Sequence, residues 1–292
     1  MKFTDDPAGH SSATLLSRNS PFALRLQLGF YSKRPFSTRF WPILVRASYA
    51  FRCAAAMMPC TYLERSGPMA TIAIVGAGPG LGLSIARRFG REGFHVGLIA
   101  RRLEALEDCA RQLTAEGIDA AAHSADGGDE RQLTAALDSI GRRFGGIDVL
   151  EFSPMPFTEM PRYTAAATTV DDVMHHLRVQ TLGAVVSVRR VLPGMLQRGR
   201  GGLLFTTGMS AVTPLALLTP VGIAMSGVRN YARCLHQELQ PSGIYAGTVS
   251  IGVQIRRGTA GDPDTIAELY WQLHTKREPA DVQFPNVDAP PT

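Results

Sequence analysis

A glycine-rich loop at residues 76–82, within the motif at 71–82, carries the clearest chemical signal in this sequence. Gly76, Gly80 and Gly82 stand in the spacing G-x-x-x-G-x-G directly after a short apolar run. Such a loop turns tightly and lets backbone N–H groups approach a pyrophosphate, because no Cβ blocks that approach. A predicted strand precedes it, a predicted helix follows it, and a second strand arrives about twenty residues later, which favours a dinucleotide site over a plain packing turn. The expected contacts are Gly76, Gly78, Pro79, Gly80, Leu81 and Gly82.

The end of the second predicted strand bears on which dinucleotide binds. It reads Ala100-Arg101-Arg102, and no acidic residue follows until Glu104. A site for NAD places an acid here to hold the ribose hydroxyls, whereas an arginine can pair with the 2′-phosphate of NADP through a charge-assisted fork. Arg101 therefore predicts that NADP is favoured over NAD. The alternative is that both arginines are solvated side chains at the start of a helix.

Apolar runs typical of strands alternate with segments of helical periodicity along residues 69–292. The strands and helices that these patterns predict must position the glycine loop. Strands are predicted at 71–75, 96–100, 120–123, 148–152, 202–206, 246–251 and 281–284. Helices are predicted at 81–91, 103–116, 129–144, 170–192, 222–239 and 263–276, and the fourth of them is expected to end at Pro193-Gly194. This alternation predicts an α/β fold of the Rossmann type, a single domain with a doubly wound parallel sheet. Ligands of such sheets bind at the carboxyl ends of the strands.

Residues 1–68 differ in composition from the rest of the chain. They hold nine basic and three acidic residues, a net charge of +6, whereas the remainder has a net charge of −1. The chain's net charge of +5 therefore comes from residues 1–68, and the remainder gives no electrostatic case for binding nucleic acid. Their most apolar stretch is interrupted by Arg46 and Arg52, which disfavours a membrane span. Met69 stands directly before the first strand. We predict that 1–68 is a leader, disordered or absent from the native product, and that 69–292 is the NAD(P)-binding domain; an organelle transit peptide is the alternative.

Neither the histidines nor the cysteines indicate a metal site. His175 and His176 are adjacent on a predicted helix and point about 100° apart, so they cannot both reach one metal ion. The four cysteines form neither a zinc pattern nor a disulfide framework: Cys53, Cys60, Cys109 and Cys234. Free thiols are expected in a reducing compartment, and we predict a cytoplasmic protein without a bound metal.

Several motifs together resemble the short-chain dehydrogenase/reductase family over about residues 70–285. They are the glycine spacing, Asp126 after the third strand, Asp148-Val149-Leu150 at the fourth strand, and the helix endings Leu192-Pro193-Gly194-Met195 and Leu235-His236-Gln237-Glu238-Leu239. The resemblance implies an NAD(P)-dependent oxidoreductase in which Asp126 contacts the adenine ring. It also implies a homodimer or homotetramer that uses the two long helices as its interface.

The positions that carry proton transfer in this family hold other residue types in this chain. Counted back from the helix end at 238–239, the family's Tyr-x-x-x-Lys pair falls on Val221 and Met225, its serine on Gly208, and its helix asparagine on Gln180. In the family the tyrosine exchanges a proton with the substrate oxygen, the lysine lowers the pKa of that tyrosine, and the serine hydrogen-bonds the same oxygen. Valine and methionine cannot ionise, and glycine has no hydroxyl. General acid–base catalysis of this kind contributes about 10²–10⁴-fold, whereas hydride transfer belongs to the cofactor.

Three other side chains are candidates for the missing chemistry. Thr206 and Thr207 end the fifth predicted strand, where their hydroxyls can face a substrate or cap the next segment. Tyr163 lies on the loop after the fourth strand. Two functions stay open: an oxidoreductase that has moved its acid–base group, and a catalytically silent sensor or scaffold that only binds the cofactor. The substrate is expected to be a small molecule, and nothing in the sequence identifies it.

Overall fold

The structure, a computed structural model, describes residues 69–156 and 163–285. The predicted leader at 1–68 lies outside these residues. In the described ranges the strands are β1 Thr71–Val75, β2 His95–Ala100, β3 Ala120–Ser124, β4 Val149–Phe152, β5 Gly201–Gly208, β6 Ile244–Ile251 and β7 Asp281–Phe284. The α-helices are α1 Leu81–Gly90, α2 Leu103–Ala115, α3 Glu130–Phe144, α4 Val170–His176, α5 Gly183–Arg198, α6 Thr219–Leu239 and α7 Pro263–Lys276. None of these helices is long and apolar enough to cross a membrane.

The strands of this part of the chain form one parallel sheet in the order β3-β2-β1-β4-β5-β6-β7. The chain winds outward from β1 in one direction to β3, and then in the other direction from β4 to β7. Val75, the last residue of β1, lies between Ile99 of β2 and Phe152 of β4. The reversal of winding opens a crevice at the carboxyl ends of β1 and β4. The predicted Rossmann-type, doubly wound sheet is confirmed.

Each face of the sheet carries its own hydrophobic core. Helices α3, α5 and α6 cover one face, which buries Ala73 and Val75 of β1. Helices α1, α2 and α7 cover the other face, which buries Ile72 and Ile74 of the same strand. Successive side chains of a strand point to opposite faces, so a central strand of a sheet covered on both sides is buried along its whole length. A polar side chain in such a strand must find its partners inside the protein.

The fourth predicted helix is longer than expected. Helix α4, a π-helical segment at Leu177–Leu182 and α5 form one continuous helical run, so the prediction that this helix ends at Pro193 is wrong. Pro193 lies inside α5 and removes one backbone donor there. The helix continues because Met195, two residues further on, is fully buried against the sheet. The left-handed residue that ends the helix is Gly199, with φ of 64°.

Two apolar residues on the long helices belong to the core of the subunit. Val188 of α5 and Val228 of α6 are 1% and 2% exposed, and both pack in the core between these helices and the sheet. Tyr231 is partly buried against the same core. The homodimer or homotetramer therefore rests on the family resemblance alone and stays a prediction.

Candidate functional site

A cavity of about 1180 Å³ opens at the carboxyl ends of the strands. Residues from the ends of five strands (β1, β2, β4, β5 and β6), from α6 and from the loop after β6 contribute to its wall. Every side chain or glycine predicted to contact the dinucleotide lines this cavity: Gly76, Gly78, Pro79, Gly80, Leu81, Gly82, Arg101 and Asp126. The structure thus brings the glycine loop, the end of β2 and the turn after β3 to one wall.

The four glycines of the loop meet two different demands. A Cβ on Gly76 would lie 2.5 Å from the backbone nitrogen of Pro154, and one on Gly82 would lie 2.8 Å from the backbone of the loop itself. Gly76 also has a φ of 93°, which disfavours any other residue. A Cβ on Gly78 or Gly80, in contrast, would meet nothing within 4 Å. Packing therefore requires glycine at 76 and 82, whereas Gly78 and Gly80 leave open space at the cavity wall.

The positive end of α1 lies at this open space. No side chain of the described residues caps the helix at Gly80, and its first turn contains no acidic residue. The unpaired N–H groups and the helix dipole at this end favour an anion. Arg101 and Arg102 are exposed at the end of β2 and add positive charge to the same wall. Asp126 stands after β3, where its Oδ1 accepts a hydrogen bond of 2.9 Å from the backbone N–H of Gly128.

The positions that the family resemblance assigns to proton transfer line the same cavity from β5 and α6. Gly208, Val221 and Met225 all belong to its wall, and the backbone N–H of Gly208 lies 2.9 Å from the sulfur of Met225. Gln180 also lines it, from the π-helical segment. The whole sequence has three lysines, and the one within the described residues, Lys276, ends α7. The cavity wall, as far as the described residues form it, therefore contains neither a lysine nor a tyrosine.

Of the three side chains predicted as candidates for a moved acid–base group, two line the cavity and one does not. Thr206 and Thr207 both line the cavity, and the hydroxyl of Thr207 is 2.8 Å from that of Ser250 in a fully buried pair. Tyr163 packs against a small apolar cluster at the start of α6 and is not one of the lining residues. Its hydroxyl lies 3.2 Å from Nε2 of His176. The two threonines thus line the cavity, although the hydroxyl of Thr207 is directed to Ser250, whereas the phenol of Tyr163 is directed to a histidine.

A buried acid that the sequence motifs do not include lies next to Thr206. Glu151 of β4 is 0% exposed and lies on the sheet face covered by α1, α2 and α7. The hydroxyl of Ser153 donates to its Oε2 at 2.9 Å, and the hydroxyl of Thr206 donates to its Oε1 at 2.7 Å. Tyr270 of α7, also fully buried, hydrogen-bonds the Thr206 oxygen. Because burial penalises the charged carboxylate more than the two hydroxyls stabilise it, the pKa of Glu151 is raised to about 7.

The sequence does contain a signal for this acid. Strand β4 reads Val149-Leu150-Glu151-Phe152, and an acidic residue inside a short apolar strand of a parallel sheet is rarely fully buried unless it has partners. The partners themselves could not be read from the sequence. Thr206 and Tyr270 are brought to Glu151 only by the pairing of β4 with β5 and by the packing of α7.

Replacing Glu151 with glutamine is expected to stabilise the protein at pH 8 and to change its stability little at pH 4. The pKa of the folded carboxyl, about 7, lies above its ordinary value of 4.5. Between these values the folded state binds more protons than the unfolded state, so the native carboxyl costs stability progressively as pH rises. Above pH 7 the full cost, about 3 kcal/mol, is reached, and the variant avoids it.

Urea unfolding of the full chain at pH 4, 6 and 8 measures this effect. Glu107→Gln makes the same chemical change on the exposed side of α2 and serves as the control, which should show a much smaller pH dependence. A Glu151→Gln variant whose stability relative to the parent is the same at pH 4 and pH 8 would show that the carboxyl titrates normally.

Comparison with known proteins agrees with this architecture. The family model described as short chain dehydrogenase matches residues 70–255. The glycine betaine reductase of Emericella nidulans is 34% identical over 139 residues, which cover 46% of this chain and 11% of that protein. The very-long-chain 3-oxoacyl-CoA reductase of Aspergillus clavatus is 28% identical over 198 residues, or 64% of this chain and 55% of that protein. The matches thus span about a tenth and about half the length of these two relatives.

Solved structures share the fold. The L-sorbose reductase from Gluconobacter frateurii, crystallised with NADPH and L-sorbose, superposes with a TM-score of 0.66 at 21% identity, over 75% of this chain and 96% of that one. The match to the family model covers more than half of the 292 residues and includes the glycine loop, Asp126 and the wall formed by β5 and α6. On this ground the chain belongs to the short chain dehydrogenase family.

Proposed function

We propose that this chain binds NADPH in the described cavity and reduces the carbonyl group of an apolar substrate. One observation carries the cofactor half of this proposal. Gly78 and Gly80 leave space beside the uncapped N-terminus of α1, and a pyrophosphate fits there because backbone N–H groups can reach it. Arg101, at the end of β2, would hold the 2′-phosphate, and Asp126 would hold the adenine ring. When bound, NADPH supplies the hydride.

The apolar part of the cavity wall supports the choice of substrate class. Met155, Leu215 and Leu218 line it together with Val221, and Met155 and Leu215 are 44% and 51% exposed. Apolar side chains that face a cavity favour an apolar ligand, because binding removes their surface from water. One relative is named as a 3-oxoacyl-CoA reductase, which also supports a ketone that carries an acyl chain.

A cofactor-binding protein without turnover is the second candidate. The observation that favours it is the lining of the cavity by Gly208, Val221 and Met225, which carry no ionisable or hydroxyl group, at the positions where the family resemblance predicts such groups. The two functions differ in one measurement. If the full chain binds NADPH tightly but oxidises none with acetoacetyl-CoA or a panel of apolar ketones, the silent function is supported; steady oxidation supports the reductase.

Replacing Arg101 with aspartate is expected to weaken NADPH binding about 10- to 100-fold and to change NADH binding little. The loss reflects a charge-assisted hydrogen bond to the 2′-phosphate, worth about 1.5–3 kcal/mol, which only NADPH can form. Fluorescence titration of the full chain with both coenzymes measures the change. Arg91→Asp, an equal change of charge on an exposed residue that does not line the cavity, is the control. Equal loss of affinity for both coenzymes would remove Arg101 from the proposed role.

A further inference from the structure

Four hydrogen-bonded side chains connect the interior of the sheet with the cavity; we call them the Glu151 cluster (Glu151, Ser153, Thr206 and Tyr270). Ser153 and Thr206 line the cavity, whereas Glu151 and Tyr270 are fully buried behind them. Both carboxyl oxygens of Glu151 accept a hydroxyl, at 2.9 Å and 2.7 Å. Every link joins groups with exchangeable protons, so a continuous path for a proton runs from the buried carboxyl to the cavity wall.

The protonation state of Glu151 decides where the hydroxyl of Ser153 donates. When the carboxyl is ionised it has no proton to donate, so it accepts from both Ser153 and Thr206, whose hydroxyls lie 2.9 Å and 2.7 Å away. When the carboxyl is protonated, its own O–H can donate to the serine oxygen, and the serine proton must turn to another acceptor. The carbonyl oxygen of Val75, at 3.5 Å, is a poor one, and a substrate oxygen in the cavity is a better one.

The other hydroxyl offers no comparable exit. The Thr206 oxygen already has two partners, Glu151 at 2.7 Å and Tyr270 from α7. If the hydroxyl of Tyr270 donates to the Thr206 oxygen, the hydroxyl proton of Thr206 points to the carboxyl of Glu151 and not to the cavity. Ser153 stands just beyond the end of β4 and is the member of the cluster whose hydroxyl can turn towards the cavity.

Several charged groups on α1 and α7 have partners other than Glu151. Arg88 of α1 pairs with Glu268 of α7 at 2.6 Å, and Arg87 pairs with Glu116 at 2.6 Å. The other titratable groups on α7 have their own surroundings: Asp264 pairs with Arg257, His274 interacts with Asp148 and Arg277, and Lys276 ends the helix. In the described part of the chain, the groups that hydrogen-bond the Glu151 carboxyl are hydroxyls. They stabilise the carboxylate less than burial destabilises it, so the pKa of Glu151 is raised to about 7 and the acid holds a proton near neutral pH.

We propose that Ser153 protonates the substrate oxygen in the cavity and is itself reprotonated by Glu151, which takes over the proton supply of the family's tyrosine. This inference rests on the proposed reductase function. A hydride from the reduced nicotinamide forms the new C–H bond, and the π electrons of the C=O bond move to oxygen. That oxygen takes the Ser153 proton while Ser153 takes the carboxyl proton of Glu151. The carboxylate regains a proton from solvent through Ser153 after the alcohol leaves.

The test compares the full chain with Glu151→Gln and Ser153→Ala variants, with Glu107→Gln as the matched surface control. NADPH affinity, and kcat for acetoacetyl-CoA and a panel of apolar ketones, are measured from pH 5.5 to 9. Infrared difference spectra of the ligand-free proteins report the protonated carboxyl independently of activity. Both variants are expected to bind NADPH within twofold of the parent and to lose at least tenfold in kcat. The kcat of the parent should fall as pH rises through about 7, and Glu151→Gln should lose this dependence.

Each part of the measurement separates two outcomes. The protonated-carboxyl band should be present at pH 6, disappear in the parent at pH 9, and be absent from Glu151→Gln but present in Ser153→Ala. A missing band, or a Glu151→Gln variant that keeps the parent's kcat and pH profile, overturns the proton path and leaves the reductase function standing. A parent that binds NADPH but reduces no substrate overturns the proton path and supports the silent function. A parent that binds no NADPH overturns the proposed function itself.

Discussion

Replacing Gly80 with alanine is expected to weaken NADPH binding at least 100-fold while the free energy of unfolding changes by less than about 1 kcal/mol. A Cβ at this position meets no protein atom within 4 Å, so the fold tolerates it. The same Cβ would occupy the space at the N-terminus of α1 where a pyrophosphate must approach backbone N–H groups. Losing two charge-assisted hydrogen bonds of about 1.5–3 kcal/mol each, or about 3–6 kcal/mol together, accounts for the expected change in affinity. Fluorescence titration with NADPH and urea unfolding of the full chain measure the two quantities.

Gly76→Ala supplies the opposite case within the same loop. Its Cβ would lie 2.5 Å from the backbone of Pro154, and the residue would have to keep a φ of 93°. We expect this variant to lose on the order of 3 kcal/mol of stability, because a backbone clash and an unfavourable φ add together. Gly80→Ala with parental NADPH affinity, or with a loss of stability as large as that of Gly76→Ala, would contradict the assignment of Gly80 to the ligand.

The parts of this protein that the sequence predicts are those that depend on local patterns. The strands from β1 to β4 and the glycine loop follow from apolar runs, helical periodicity and glycine spacing, which are all read within about twenty residues. The convergence of Arg101 and Asp126 on the loop also follows, because parallel strands place their carboxyl ends at one edge.

The parts that could not be predicted depend on packing between distant segments. Pro193 is a helix breaker by local rules, yet α5 continues past it because Met195 is buried against the sheet. Glu151 is conspicuous in its strand, but its partners Thr206 and Tyr270 lie 55 and 119 residues further along the chain and meet it only in the folded sheet. The proposed proton path therefore depends on the tertiary structure, whereas the residues of the proposed cofactor site can largely be predicted from the sequence.

Introducing the three residue types that the family resemblance assigns to positions 208, 221 and 225 should raise the proposed reductase activity about 100-fold or more. The variant is Gly208→Ser, Val221→Tyr and Met225→Lys. Positions 221 and 225 lie one turn apart on α6 and line the cavity, and the contact between Gly208 and Met225 brings β5 to the same place. A phenol, an ammonium group and a hydroxyl introduced there would supply the acid–base catalysis that contributes about 10²–10⁴-fold. The measurement is kcat for NADPH oxidation with acetoacetyl-CoA and apolar ketones.

The matched control carries Val221→Phe in place of Val221→Tyr beside the other two changes. It fills the same volume without an ionisable hydroxyl, so it separates chemistry from the overpacking of a position that is 2% exposed. A triple variant no faster than this control would show that α6 does not place position 221 at the substrate. If the introduced phenol takes over proton transfer, adding Glu151→Gln to the triple variant should cost much less activity than it costs the parent. Two proton sources that substitute for each other in this way would place Ser153 and position 221 at the same substrate oxygen.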